Sequence, residues 1–198
     1  MTSVSRYVLV DRLGKDRTLA TDLMWSVAFS FLTALLAQLE IRFPFTPVPL
    51  TGQTFAVLLS GALLGSRRGF LSQALYLAEG AAGLPVFAGG AASAVHLFGP
   101  TGGYLWSFPL AAALLGWLVE RGASRSALRL AASLLVADIV ILGMGAMWLS
   151  VGFTVPFAQA MPLGFYPFLL ADVMKIALIG MSLPPVMKRL ARADGSAL

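Results

Sequence analysis

Asp172 and Lys175 stand three residues apart in LLADVMKIALIG, Leu169–Gly180, a stretch whose other residues are apolar or small. A spacing of i and i+3 presents both side chains on one face of a helix. Charged groups on a helix that crosses lipid usually face a cavity, a partner or a functional site. The structural alternative is an ion pair that cancels its own burial cost. Replacing such a pair with apolar residues is often neutral or stabilising, so stability alone is a weak reason to have one. A lysine there can meet a ligand carboxylate, and an aspartate can accept from ligand N–H groups. Gln53, Glu79 and His96, from other segments, fall at the same depth once the spans are oriented. His96 is divided between ligand contact and loop hydrogen bonding, and Glu79 between an acceptor in the pocket and an acid at headgroup level. Asp138, in the middle of another span, either lines the pocket or ties helices together.

Several chemistries are excluded by residue type. With no cysteine and a single histidine, disulfides, thiolate sites and a multi-histidine metal site within the chain are ruled out. No phosphate-binding G-x-x-x-x-G-K-[ST] is present, and GSRRG at Gly65–Gly69 is not one. Serines have no credible base beside them. No enzyme, metal or cofactor is therefore expected, and ATP hydrolysis would have to come from elsewhere.

The elements that hold these groups follow from composition. The chain of 198 residues is 58% hydrophobic and 12% charged, with mean hydropathy +0.83. A soluble domain is about 45–50% apolar and about 25% charged, so an all-α integral membrane protein is expected. Six spans are read, at about Asp22–Leu39, Thr51–Gly65, Gly69–Gly83, Gly103–Val119, Ser126–Leu149 and Phe165–Met187. The second and third are short for a hydrocarbon layer about 30 Å thick, and must be helped by flanking segments or packed inside the bundle.

Arg6, Arg12, Lys15, Arg17, Arg67, Arg68, Arg121, Arg125, Arg129, Lys188, Arg189 and Arg192 fall on one side of these spans, against Arg42 alone on the other. Positive charge marks the cytoplasmic side, so both termini are expected inside. Net charge +5 is then topology charge, and no nucleic acid is implied. Residues 1–21 read as a cytoplasmic segment, 22–190 as one membrane domain and 191–198 as a cytoplasmic tail. The first 21 residues lack the apolar core of a signal peptide.

The outer loops, Ile41–Thr54, Gly83–Tyr104 and Val151–Pro167, mix proline, glycine and aromatics with almost no charge. Backbone at membrane depth must be buried or hydrogen-bonded, so these loops are expected to fold back over the bundle as a cap on a ligand pocket. Phe87, Tyr104, Trp106 and Tyr166 supply aromatic surface for it. Ser26, Ser30 and Ala34, spaced by four on the first span, make a small-residue face for close helix approach, either to a partner protein or internally.

TPVPLTGQTFAVLLSGALLG (Thr46–Gly65), GLPVFAGG (Gly83–Gly90), GPTGGYL (Gly99–Leu105) and DVMK (Asp172–Lys175), in this order, resemble the BioY family. That family comprises the biotin-specific substrate-binding (S) components of energy-coupling factor (ECF) transporters. The resemblance covers nearly the whole membrane part. It implies a six-helix substrate-capture subunit in the cell membrane, with biotin held near the outer face beneath the loops. The D-x-x-K pair of the family's pocket falls on Asp172 and Lys175, and its glutamine on Gln53. Tyr104, Glu79 and His96 complete the expected substrate contacts. Partners implied are a transmembrane coupling (T) subunit, which the small-residue face of the first helix would meet, and two ATP-binding-cassette ATPases. Two positions depart from the family's pattern. Ala91 follows the paired glycines where many relatives have Asn or Arg, and Leu105 follows G-G-Y where some have Arg. The alternatives are an S component for thiamin or riboflavin, or a small membrane enzyme using Asp172 or Glu79 in proton transfer.

Overall fold

A computed structural model describes Val8 and residues 18–193, with side chains through 185. Most of the expected segments 1–21 and 191–198 lies outside the described residues. Among the described residues six helices carry the fold: α1 Leu19–Ala37, α2 Gln53–Ala81, α3 Gly102–Glu120, α4 Ala127–Gly152, α5 Phe157–Gly164 and α6 Tyr166–Ala193. Helices α1, α3, α4 and residues Tyr166–Pro185 of α6 are long and apolar enough to cross a membrane.

Helix α2 contains the two short spans. It breaks at Gly65, whose φ of +82° is strained for any residue with a Cβ. The chain reverses there, and residues 53–64 and 66–81 become antiparallel limbs. A Cβ on Gly69 would lie 3.2 Å from the Cα of Gly61, and one on Gly61 would lie 2.5 Å from the carbonyl oxygen of Ala112 on α3. Small residues thus let three helices meet at backbone distance.

Beside this crossing, buried Gln73 donates to Ser60 on the facing limb at 3.1 Å and to Thr33 on α1 at 3.2 Å. At the turn, Glu120 of α3 accepts from the backbone N–H of Ser66 at 2.7 Å. Arg68 pairs with Asp22 of α1 at 2.5 Å. The excess of apolar residues goes outward: Leu23, Met24, Val27, Phe31 and Leu35 on α1, and Val173, Met174, Leu178 and Met181 on α6, are exposed on the sides that would face lipid.

That outward face of α1 is not the small-residue one. Ser26, Ser30 and Ala34 are buried within the chain, which corrects the expectation that they form a partner surface. Ser26 donates to the Asp22 carbonyl within α1, and Ser30 donates to Glu79 and so ties α1 to the α2 hairpin.

The three loops opposite the Gly65 turn are more regular than expected. The first contains a short antiparallel pair, β1 Glu40–Ile41 and β2 Leu50–Thr51, with Glu40 opposite Thr51. The second has 3-10 turns at Ala88–Gly90 and Ala94–Phe98, and the third contains α5. Side chains join them. Gln38, just after α1, donates to the Phe87 carbonyl at 3.2 Å and accepts from the N–H of Gly90 at 2.9 Å. Thr46 donates to the Leu163 carbonyl at 2.6 Å.

Candidate functional site

Beneath these loops lies a cavity of about 390 Å³, within the range of about 300–1,000 Å³ usual for small-molecule sites. Its polar floor is built by the start of α2 and the N-terminal half of α6. Lys175 Nζ has three donors and meets three acceptors: Asp172 Oδ1 at 2.7 Å, Thr54 Oγ1 at 2.7 Å and the Thr51 carbonyl at 2.9 Å. Thr54 also donates to Asp172 Oδ1 at 2.9 Å. One Asp172 oxygen therefore holds two partners, while Oδ2 makes no hydrogen bond among the described residues. The Asp172 side chain is 2% exposed and that of Lys175 17%, so the pair sits at the low-dielectric end of the cavity. There an ion pair holds its geometry and an open acceptor is strong.

Local structure explains this arrangement. The Thr51 carbonyl is free for Lys175 at the end of β2, and Thr54 lies in the first turn of α2, before its backbone ladder is complete. Gln53 is fixed from both sides. Its Oε1 accepts from Thr51 at 2.9 Å and its Nε2 donates to Tyr76 at 2.6 Å, and Tyr76 in turn donates to the Val86 carbonyl of the second loop at 3.1 Å.

The walls are apolar and aromatic. Phe87 stacks on His96 with centroids 5.8 Å apart, and Tyr104 meets Phe168 edge-on at 6.3 Å. The Tyr104 hydroxyl donates to the Gly164 carbonyl, which leaves its ring as the surface turned to the cavity. At the mouth, Glu40 and Arg42 form a second ion pair at 2.9 Å.

Of the residues expected from sequence, Asp172, Lys175, Gln53, His96 and Tyr104 line this one cavity. Glu79 does not; both its oxygens accept from Ser30 of α1, at 2.8 and 2.7 Å. Trp106 is turned away to the Leu97 carbonyl, and Tyr166 is exposed. Asp138 is 1% exposed behind the floor, within electrostatic reach of Asp172 and Lys175, and its Oδ1 has no hydrogen bond among the described residues. Thr54, Glu40 and Arg42 are cavity residues that the sequence reasoning passed over. Thr54 follows Gln53 directly, and Arg42 was already conspicuous as the lone outer cation.

A BioY family model matches residues 7–192 of the chain. The chain belongs to the BioY family. A probable biotin transporter BioY from Pyrococcus horikoshii is 41% identical over 151 residues, covering 75% of this chain and 85% of that one. The biotin transporter BioY from Thermotoga maritima is 39% identical over 147 residues, 74% and 85% of the two chains. The biotin transporter BioY2 from Lactococcus lactis subsp. cremoris is 34% identical over 148 residues, 75% and 80%. Among solved structures, the S-component for biotin from an ECF-type ABC transporter matches with a TM-score of 0.80 at 26% identity, covering 87% of this chain and 95% of that one.

Family membership and apolar helices together make this BioY chain a multi-pass protein of the cell membrane. At its two departures from the family's pattern, Leu105 is 4% exposed in the cavity wall and Ala91 packs against the core, so neither offers a polar group.

Proposed function

We propose that this BioY protein captures biotin at the outer face of the membrane and serves as the substrate-binding component of an ECF-type transporter. It is a transport subunit, not an enzyme. Its partners are a transmembrane coupling subunit and two ATP-binding-cassette ATPases, which supply the ATP hydrolysis that this chain lacks. The observation that carries the substrate is the chemistry of the cavity. Biotin has an apolar thiophane ring and valeryl chain, a ureido group with N–H donors and a carbonyl, and one carboxylate. The cavity offers aromatic walls and a buried acid–base floor from Thr54, Asp172 and Lys175. Asp172 Oδ2 is the open acceptor for a ureido N–H, while Lys175 holds Asp172 in position. Tyr104 and Phe87 bracket the ring, and Gln53 and His96 close the sides.

The cavity opens outward in this reading. Arg67, Arg68, Arg121, Arg125 and Arg129 lie at the Gly65 end, against Arg42 at the cavity end, which supports a topology with both termini in the cytoplasm. Titration calorimetry of biotin into the detergent-purified chain, freed of co-purified ligand, tests the assignment. Saturable binding near one biotin per chain is expected, with thiamin and riboflavin silent. Silence towards biotin refutes it.

A further inference from the structure

Two cations line the cavity, and they are in different states. Every donor of Lys175 is occupied, by Asp172, Thr54 and the Thr51 carbonyl, so a ligand carboxylate would have to displace one of these to reach it. Arg42 is not occupied in this way. Its Nε and Nη2 meet Glu40 Oε1 at 3.0 and 2.9 Å, and Nη1 meets nothing among the described residues. The Arg42 side chain is 73% exposed, against 17% for Lys175, so one cation stands at the mouth and the other at the floor.

Glu40 and the second loop at Gly89 set the mouth position. Glu40 is fixed opposite Thr51 by the β1–β2 pair, so the carboxylate that pairs with the mouth cation is registered against the residue whose carbonyl anchors the floor cation. The Glu40–Arg42 pair also lies over Gly89 of the second loop. A Cβ there would sit 2.6 Å from Arg42 Nη2 and 2.9 Å from Glu40 Oε1. Glu40 Oε2 is buried without a donor, and this unrelieved negative charge strengthens its hold on the guanidinium.

We infer that Arg42 is the residue that selects a carboxylate on the ligand, and that the ligand therefore enters with its carboxylate at the mouth and its ureido ring at the Asp172 floor. This rests on the biotin reading above and fixes the ligand's direction within it. A guanidinium with Nη1 free presents a planar fork to a carboxylate, and such charge-assisted bonds are the strong ones. Biotin matches the two ends in sign: N–H donors face an anionic oxygen and a carboxylate faces a cation. The reverse pose places a carboxylate against Asp172, where no free donor faces it.

The test compares biotin with biotinamide, its neutral primary amide, by calorimetry on the full chain and variants. The parent is expected to prefer biotin by about 10–100-fold, the range of a charged hydrogen bond. In Arg42→Gln that ratio falls to near one, because biotin weakens while biotinamide holds. Arg42→Lys, which keeps charge but loses the fork, falls between. Glu40→Gln removes the competing anion and binds biotin several-fold tighter, with biotinamide unchanged. Thr54→Val, at the floor, weakens both ligands alike and leaves the ratio intact. Arg42 is at the surface, so its variants should melt with the parent, and that is checked in the same samples. If the parent binds both ligands and the ratio survives Arg42→Gln, or if the parent shows no preference for the carboxylate, Arg42 is not the selector although biotin capture stands. If the parent binds neither ligand, the biotin reading fails and the inference fails with it.

Discussion

Substituting Asp172 separates the two roles its ion pair can play. In Asp172→Asn the Lys175 ammonium keeps the Thr51 carbonyl and Thr54 hydroxyl but loses its counter-charge at 2.7 Å. Breaking a buried pair from one side costs about 3–5 kcal/mol. The two remaining acceptors and the partial exposure of Lys175 bring the expected loss to about 2–3 kcal/mol. For a chain of this size that is a fall of about 5–10 °C in apparent melting temperature. Biotin affinity falls in the same variant by about 10–100-fold, since a charged acceptor for the ureido group becomes a neutral amide.

The double variant Asp172→Leu with Lys175→Met is the decisive one. It removes both charges at once, and stability is expected to return to within about 1 kcal/mol of the parent. Biotin binding is expected to stay lost. Thermal unfolding in detergent and calorimetry read the two quantities on one preparation. If the double variant is as unstable as the single one, the pair holds the fold in its own right. If it binds biotin like the parent, the floor of the cavity is not the ureido site.

Three further outcomes are expected. Glu79→Gln leaves the biotin dissociation constant within about twofold and lowers stability by about 1 kcal/mol, because its carboxylate meets Ser30 and not the cavity; a large loss of affinity in calorimetry would put Glu79 back in the site. Gln38→Ala cuts both side-chain links between the first and second outer loops, so biotin release, followed by exchange of labelled ligand, should speed up by about tenfold with little change in melting; an unchanged release rate would show that these links do not hold the cap. The native chain has no cysteine. A cysteine at Ala94 should therefore react with a membrane-impermeant maleimide on whole cells, and one at Ser124 only after lysis; the opposite pattern inverts the topology.

The number of spans and their short pair were legible because hydropathy and the Arg67–Arg68 doublet are local signals. The reversal at Gly65 was not, since one glycine in a run of helix formers says nothing of φ until Gly61, Gly69 and Ala112 are seen to meet. The meeting of Asp172, Lys175 and Gln53 followed from depth alone, which orientation supplies. Depth does not give azimuth, and that is where Glu79 went astray: it lies on the side of its limb that faces Ser30. Azimuth also turned Ser26, Ser30 and Ala34 inward, because small residues permit close approach without naming the neighbour. Thr54 carried no signal of its own. An uncharged hydroxyl in an apolar helix is common, and only the Lys175 ammonium 2.7 Å away makes it part of the floor.

The hairpin's short limbs have a consequence for distance travelled. In the proposed topology the turn at Gly65 lies at one membrane boundary, and residues 54–64 rise only about 16 Å from it at about 1.5 Å per residue. The hydrocarbon layer is about 30 Å thick. The floor at Thr54 therefore lies near the bilayer midplane, with about 14 Å of the layer on its outer side. A ligand seated on that floor has covered nearly half of the barrier by diffusion and binding alone, before any ATP is hydrolysed. The first outer loop is thus less a lid on the surface than a replacement for the missing outer part of that limb, and what remains for the transport machinery is the other half of the crossing.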